Sequence, residues 1–127
     1  MRADRLLLDT HAYLWWRRND PLLSEAGRRA IADAPFVFVS VASAWEAAIK
    51  VSVGKLRLDE PIREGIDLSA FQELPITLAH TEIVARLPVH QRDPFDRMLV
   101  AQCIGERLVL VTRDRHFEPY GVDIIWS

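Results

Sequence analysis

A doubly wound α/β fold, a mainly parallel sheet covered by helices, is what this 127-residue chain predicts. Three observations carry that expectation. Leu6–Leu8 and Leu108–Val111 are uninterrupted apolar runs, the pattern of strands buried on both faces of a parallel sheet. Each run stops abruptly at polar residues, Asp9 and Thr10 in the first case, Thr112 and Asp114 in the second. Between them, strand-like and helix-like segments alternate. Half of the residues are hydrophobic, enough for one core and too few for two, so residues 1–127 read as a single domain.

Taken in order, the first strand leads into a helix from about His11 to Arg18, broken at Asn19, Asp20 and Pro21. Ser24 is a good cap for a second helix reaching about Ala32. The β-branched and aromatic run Phe36–Val39 is the second strand. Val41–Val53 follows as a helix stopped by Gly54. Its apolar residues cover most of the circumference, which predicts burial on nearly all sides. The exception is a stripe of Ser43, Glu46 and Lys50, spaced by three and four. Lys55–Ser69, interrupted by Pro61 and Gly65, predicts only a short helix after Pro61. Leu74–Thr77 reads as a short strand and Ala79–Leu87 as a helix ended by Pro88. Asp93 as N-cap and Pro94 in the first turn open a helix running to just before Gly105. A turn or short helix through Phe117 and Tyr120 follows the Leu108 strand, and Val122–Trp126 is the last strand.

Composition excludes several classes. No apolar run is long enough to span a membrane, and Met1–Thr10 lacks the features of a signal peptide, so a soluble cytoplasmic protein is expected. The lone Cys103, set among Val100, Ala101 and Ile104, reads as a core thiol. A net charge of −2 excludes binding of nucleic acid by bulk electrostatics, so any such contact must be local. Of 16 basic residues only Lys50 and Lys55 are lysines.

Ligands of doubly wound sheets bind outside the carboxyl ends of the strands. Asp9 and Asp114 follow the two buried strands closely, Glu46 lies on the helix after the second strand, and Asp96 opens the helix leading into the Leu108 strand. Unpaired backbone N–H groups and the helix dipole are expected to hold Asp96 ionised at neutral pH. To join the others it needs a long preceding loop or an inward tilt of its helix. Each acid also has a purely structural reading: Asp9, Asp93 and Asp114 as helix caps, Asp96 as a capping acid, Glu46 as a surface partner of Lys50. If all four acids meet, their repulsion calls for a divalent cation, and oxygen-only ligands favour Mg²⁺ or Mn²⁺ over Zn²⁺. His11, His80, His90 and His116 are scattered singly and read as surface or packing residues, His116 alone standing close to an acid of the set. Carboxylate-held Mg²⁺ suits hydrolysis of phosphodiesters. Arg92, Arg97, Arg113 and Arg115 flank two of the acids and Lys50 accompanies a third, as phosphate-binding cations would.

LLLDTHAYLWW, SVASAWEAAIKVSVGKL, LPVHQRDPFDRMLVAQ and LVLVTRDRHF together resemble the PIN-domain ribonucleases, specifically the VapC-type toxins of toxin–antitoxin pairs. The resemblance implies a PIN-like α/β/α sandwich and an endoribonuclease dependent on Mg²⁺ or Mn²⁺. It places the acidic positions on Asp9, Glu46, Asp96 and Asp114, a site-lining hydroxyl on Thr112, and Asp93 as a cap or supporting group. It further implies a homodimer, an RNA substrate and a cognate VapB-like antitoxin, for whose apolar side chains Leu14, Trp15 and Trp16 are groove candidates. Two alternatives stand beside it: a PIN-like module that binds RNA or a partner without cutting, and a phosphoacceptor receiver domain. The receiver reading lacks a paired acid at the first strand and a lysine after the Leu108 strand.

Overall fold

Leu6, Leu7 and Leu8 are all fully buried, at the centre of a five-stranded sheet. The structure, a computed structural model, describes residues 4–127; residues 1–3, part of the stretch read for a targeting signal, lie outside the described residues. The strands are β1 (Arg5–Leu8), β2 (Phe36–Ser40), β3 (Gln72–Leu74), β4 (Val109–Thr112) and β5 (Ile124–Trp126). Every pairing is parallel, in the order β3-β2-β1-β4-β5. The helices are α1 (Thr10–Arg18), α2 (Glu25–Asp33), α3 (Val41–Ser52), α4 (Ile62–Leu68), α5 (Leu78–Arg86) and α6 (Pro94–Glu106), with a 3₁₀ helix at Arg115–Tyr120. The α/β fold with a parallel sheet is therefore as expected.

Strand residues alternate between two cores. Leu6, Leu8, Val109 and Val111 face α1, α2 and α4 through Tyr13, Ile31 and Ile66, whereas Leu7 and Leu110 face α6 and the 3₁₀ helix through Leu99, Val100, Cys103 and Phe117. Burial pushes the Cys103 thiol up to about 12, so it is an inert packing group. The chain builds β2 and β3 on one side of β1 and then returns to lay β4 and β5 on the other. The switch falls between β1 and β4, where ligands of this architecture bind.

Three expectations about the elements are corrected. The third strand is Gln72–Leu74 rather than Leu74–Thr77, because Pro75 has no N–H for the ladder and Thr77 caps α5. The cap is reciprocal: His80 N donates to Thr77 Oγ1 at 3.2 Å and Thr77 N donates to His80 Nδ1 at 3.0 Å. Gly105 lies inside α6, where a Cβ would stand 3.0 Å from Ile83 Cδ1; its role is to let α5 approach, and the helix ends at Arg107 in left-handed backbone (φ 58°). α3 is not buried on nearly all sides. Only Ala42, Ser43 and Ala47 are buried, while Trp45 is 58% exposed and Val53 61%, with Ile49 and Val51 also open. A single narrow stripe faces the sheet and α6, and Ile49 and Val51 lie open to solvent.

Residues 87–93 lead into α6, whose start must reach the carboxyl edge. Only Arg107 and Leu108 separate it from β4, so it runs back along the sheet from that edge. Thirteen helical residues reach about 20 Å against about 13 Å for a four-residue strand, so α6 is long enough for its first turn to stand at that edge. Among the described residues no helix is long and apolar enough to cross a membrane.

Gly65 generates a test of the α1–α4 contact. A Cβ there would stand 2.0 Å from Tyr13 Oη, and Tyr13 is held in the core. Gly65→Ala should cost about 1–3 kcal/mol in urea unfolding. Adding Tyr13→Phe, which removes the clashing oxygen, should recover part of that loss; an additive double variant would show that the contact is not the cause.

Candidate active site

β1 delivers Asp9 to the switch point, and backbone pairing fixes it there: Asp9 N donates to Val111 O at 3.1 Å. Its carboxyl has two duties. Oδ1 accepts from Ala12 N at 2.8 Å as the N-cap of α1, and Oδ2 accepts from Thr112 Oγ1 at 2.6 Å. Thr112 ends β4 fully buried, and its hydroxyl also accepts from Asp114 N at 3.0 Å. One threonine thus ties the acid after β1 to the acid after β4. Asp114 caps the 3₁₀ helix, its Oδ1 accepting from His116 N at 2.9 Å and lying 2.8 Å from His116 Nδ1.

Glu46 arrives from α3. Thr10 Oγ1 donates to its Oε1 at 2.6 Å and Lys50 Nζ stands 3.6 Å from its Oε2. The surface pair read from sequence exists, yet the same carboxylate also bears on Asp96. Trp45 and Phe95, the residues before Glu46 and Asp96, meet edge to face at 5.0 Å and draw the two helices together. Thr10 was not singled out from sequence. The available signal was that Asp9 and Asp114 both have a threonine within two residues of a strand end.

Asp93 is the N-cap of α6, its Oδ1 accepting from Phe95 N at 2.9 Å and Asp96 N at 3.1 Å. Asp96 sits in the first turn, but the helix dipole does not keep its carboxyl acidic. Burial, then the charges of Asp93, Glu46, Asp114 and Asp9, push it up to about 7. Asp9 is also raised, by burial, against the lowering effect of its bonds from Thr112 and Ala12 and of His11. The acids therefore share one electrostatic environment. Among the described residues no three acids, histidines or cysteines are close enough together to enclose an ion.

The basic residues divide. Arg97, read from sequence as a phosphate-binding cation, is consumed by structure: its guanidinium donates to Pro88 O (2.9 Å), Val84 O (3.1 Å), Leu87 O (3.3 Å) and Tyr120 Oη (3.1 Å). It clamps the end of α5 and the 3₁₀ helix to the first turn of α6, and so sets where Asp96 stands. Arg92, Arg113 and Arg115 remain at the surface. Of the expected groove residues, Leu14 is buried in the core and Trp16 packs against Phe71, which leaves Trp15 at the edge of the site. His80 is likewise structural, buried with Nε2 2.8 Å from Glu106.

The chain matches the family model "PIN domain" over residues 6–122. It is 29% identical over 118 residues to Ribonuclease VapC22 of Mycobacterium tuberculosis, covering 91% of each chain. Its fold is that of VapBC2 from Rickettsia felis bound to a DNA fragment from their promoter, with a TM-score of 0.71 at 16% identity over 95% of this chain and 97% of that one. It also matches DNA-bound VapBC from Salmonella typhimurium, with a TM-score of 0.70 at 19% identity over 96% and 97%.

Two outcomes follow from the electrostatics. Unfolded, Asp96 titrates near 3.8; folded, near 7, so between these values the folded chain holds a proton that the unfolded chain has lost. Metal-free protein should lose stability as pH rises from about 4 to about 7, and Asp96→Asn should abolish this part of the loss, gaining on the parent at pH 8 but not at pH 4. Parallel urea-midpoint profiles for the two proteins would refute it. Asp93→Ala should cost about 0.5–2 kcal/mol through the lost cap, and Asp93→Asn, which keeps the acceptor, much less.

Proposed function

This chain belongs to the PIN-domain family, and from that premise we propose that it is a divalent-metal-dependent endoribonuclease, a VapC-like toxin restrained by a cognate VapB-like antitoxin. One observation carries the reading: Asp9, Glu46 and Asp114, delivered by three separate segments, all bear on the carboxyl of Asp96, and Asp9 and Asp114 follow the paired strands β1 and β4. Structural capping alone gives no reason for Glu46 and Asp96 to be brought there.

The donor chemistry suits a hard cation, which would draw together carboxylates that do not enclose an ion as they stand. All four groups offer oxygen, and their mutual repulsion is relieved only in part by Lys50 and His11. Asp9, Asp96 and Asp114, with Glu46, would hold Mg²⁺ or Mn²⁺. Bound there, the cation supplies an acidified water and neutralises charge on the phosphorus centre of an RNA phosphodiester. The chain's own part is orientation. Thr112 and the start of α1 hold the two Asp9 oxygens, Thr10 and Lys50 hold those of Glu46, and His116 holds Asp114. Arg97 anchors the helix that carries Asp96.

We read residues 1–127 as one domain acting in the cytoplasm. The exposed apolar residues of α3, Trp45, Ile49 and Val51, suit a homodimer contact. An antitoxin neutralises an acid cluster most directly with an arginine, which pairs with carboxylates bidentately and stays charged.

Purified protein incubated with several structured RNAs should cleave with Mg²⁺ or Mn²⁺ and not with chelator. Asp9→Asn and Asp96→Asn should each lower cleavage by at least about a hundredfold, in the range seen when electrostatic catalytic groups are removed, while remaining folded. Undiminished cleavage by either variant would overturn the assignment of the acids. A parent that binds RNA and never cuts it would favour the non-catalytic module instead.

A further inference from the structure

Two arginine–tryptophan pairs bracket Asp114, and neither is needed to hold the acids. On one side the Arg113 guanidinium carbon lies 5.6 Å from the ring centroid of Trp15, whose indole stacks with His11 at 5.6 Å between centroids and 19° between planes. On the other, the Arg115 guanidinium carbon lies 4.3 Å from the ring centroid of Trp126. Trp126 is in register with Thr112 across β4 and β5, so the second pair stands at the same carboxyl edge as Asp9 and Asp114. Trp15 belongs to α1, which Asp9 caps.

Resting on the nuclease reading, we propose that these pairs are stacking subsites for unpaired bases of single-stranded RNA, one on each side of the phosphate at the acids. Flat π faces accept any base, and each is joined to a cation that can meet the adjoining phosphate. Bases in a duplex already stack on one another and have no face to offer. Arg113 has no carboxylate partner among the described residues, so its outward donors are open. Arg115 shares Glu118 at 3.1 Å, an exposed pair that a phosphate readily replaces. This local basic and aromatic edge also answers how a chain of net charge −2 holds a polyanion. Trp15 is half-buried against the core, and the polar groups beside it, an imidazole and a guanidinium, suit a base and its phosphate better than an aliphatic protein anchor.

The test is anisotropy of a fluorescein-labelled single-stranded RNA of mixed sequence in EDTA, where no cleavage intervenes. Trp15→Leu and Trp126→Leu should each weaken binding roughly tenfold, the scale of one lost base stack. Trp15→Phe, which keeps a flat ring, should stay near the parent; a purely structural role would respond to volume and not to flatness. A duplex of the same sequence should bind more weakly and be insensitive to these changes. With Mn²⁺, the leucine variants should raise KM more than they lower kcat. Arg113→Gln, on the exposed surface, keeps the test decisive if Trp15→Leu does not fold. Parent-like RNA binding by folded leucine and glutamine variants overturns the proposal, as does weakened antitoxin binding with RNA binding intact, which would make the edge a protein interface. If the parent still cleaves RNA in either case, the stacking proposal falls alone; a parent that neither binds nor cleaves takes the nuclease reading with it.

Discussion

The parallel pairing of β1 with β4 is the constraint on which the rest of the structure depends. These strands are not neighbours in sequence, and their register sets Leu8 opposite Val111. The residues that follow each strand must then emerge side by side. Thr112 closes the seam, its hydroxyl donating a hydrogen bond to Asp9 and accepting one from the Asp114 backbone N–H. Because the strands are fully buried, this arrangement cannot slip by one residue without turning leucines toward the wrong core.

Capping and site-building are not alternatives in this protein. Asp9, Asp93 and Asp114 all satisfy orphan backbone N–H groups of the helices they precede. Each helix start in turn holds its acid in one orientation at the edge. The same arrangement stores unfavourable electrostatic energy: Asp96 is pushed to about 7 because burial and neighbouring acids outweigh a helix terminus. Local stabilisation by caps tolerates a charge cluster that burial alone would disfavour.

The arginines divide along the same line. Arg97 spends its guanidinium on four acceptors and acts as a strut, whereas Arg113 and Arg115 stand over tryptophan rings at the surface. Both kinds flank acids in the sequence, and composition does not distinguish them. The difference comes from the α5 end, where Arg97 reaches the carbonyls of Val84, Leu87 and Pro88, the first of them shared with the Leu87 N–H.

By itself the sequence determined what depends on local periodicity and chemistry. Unbroken apolar runs meant strands buried on both faces, Ser24 and Asp93 marked helix starts, and the acids at strand ends were legible because polar residues cut the runs short. Resemblance carried the four acidic positions further than spacing alone did. Tertiary structure decided what depends on which surfaces meet. Gly105 serves the approach of α5 rather than the end of α6, α3 leaves Trp45 and Val53 uncovered, Leu14 goes to the core, and Asp96 loses its ordinary acidity. The reason is common to all four. Burial, packing distance and the sum of neighbouring charges are set by residues far apart in the chain, and no local pattern encodes them.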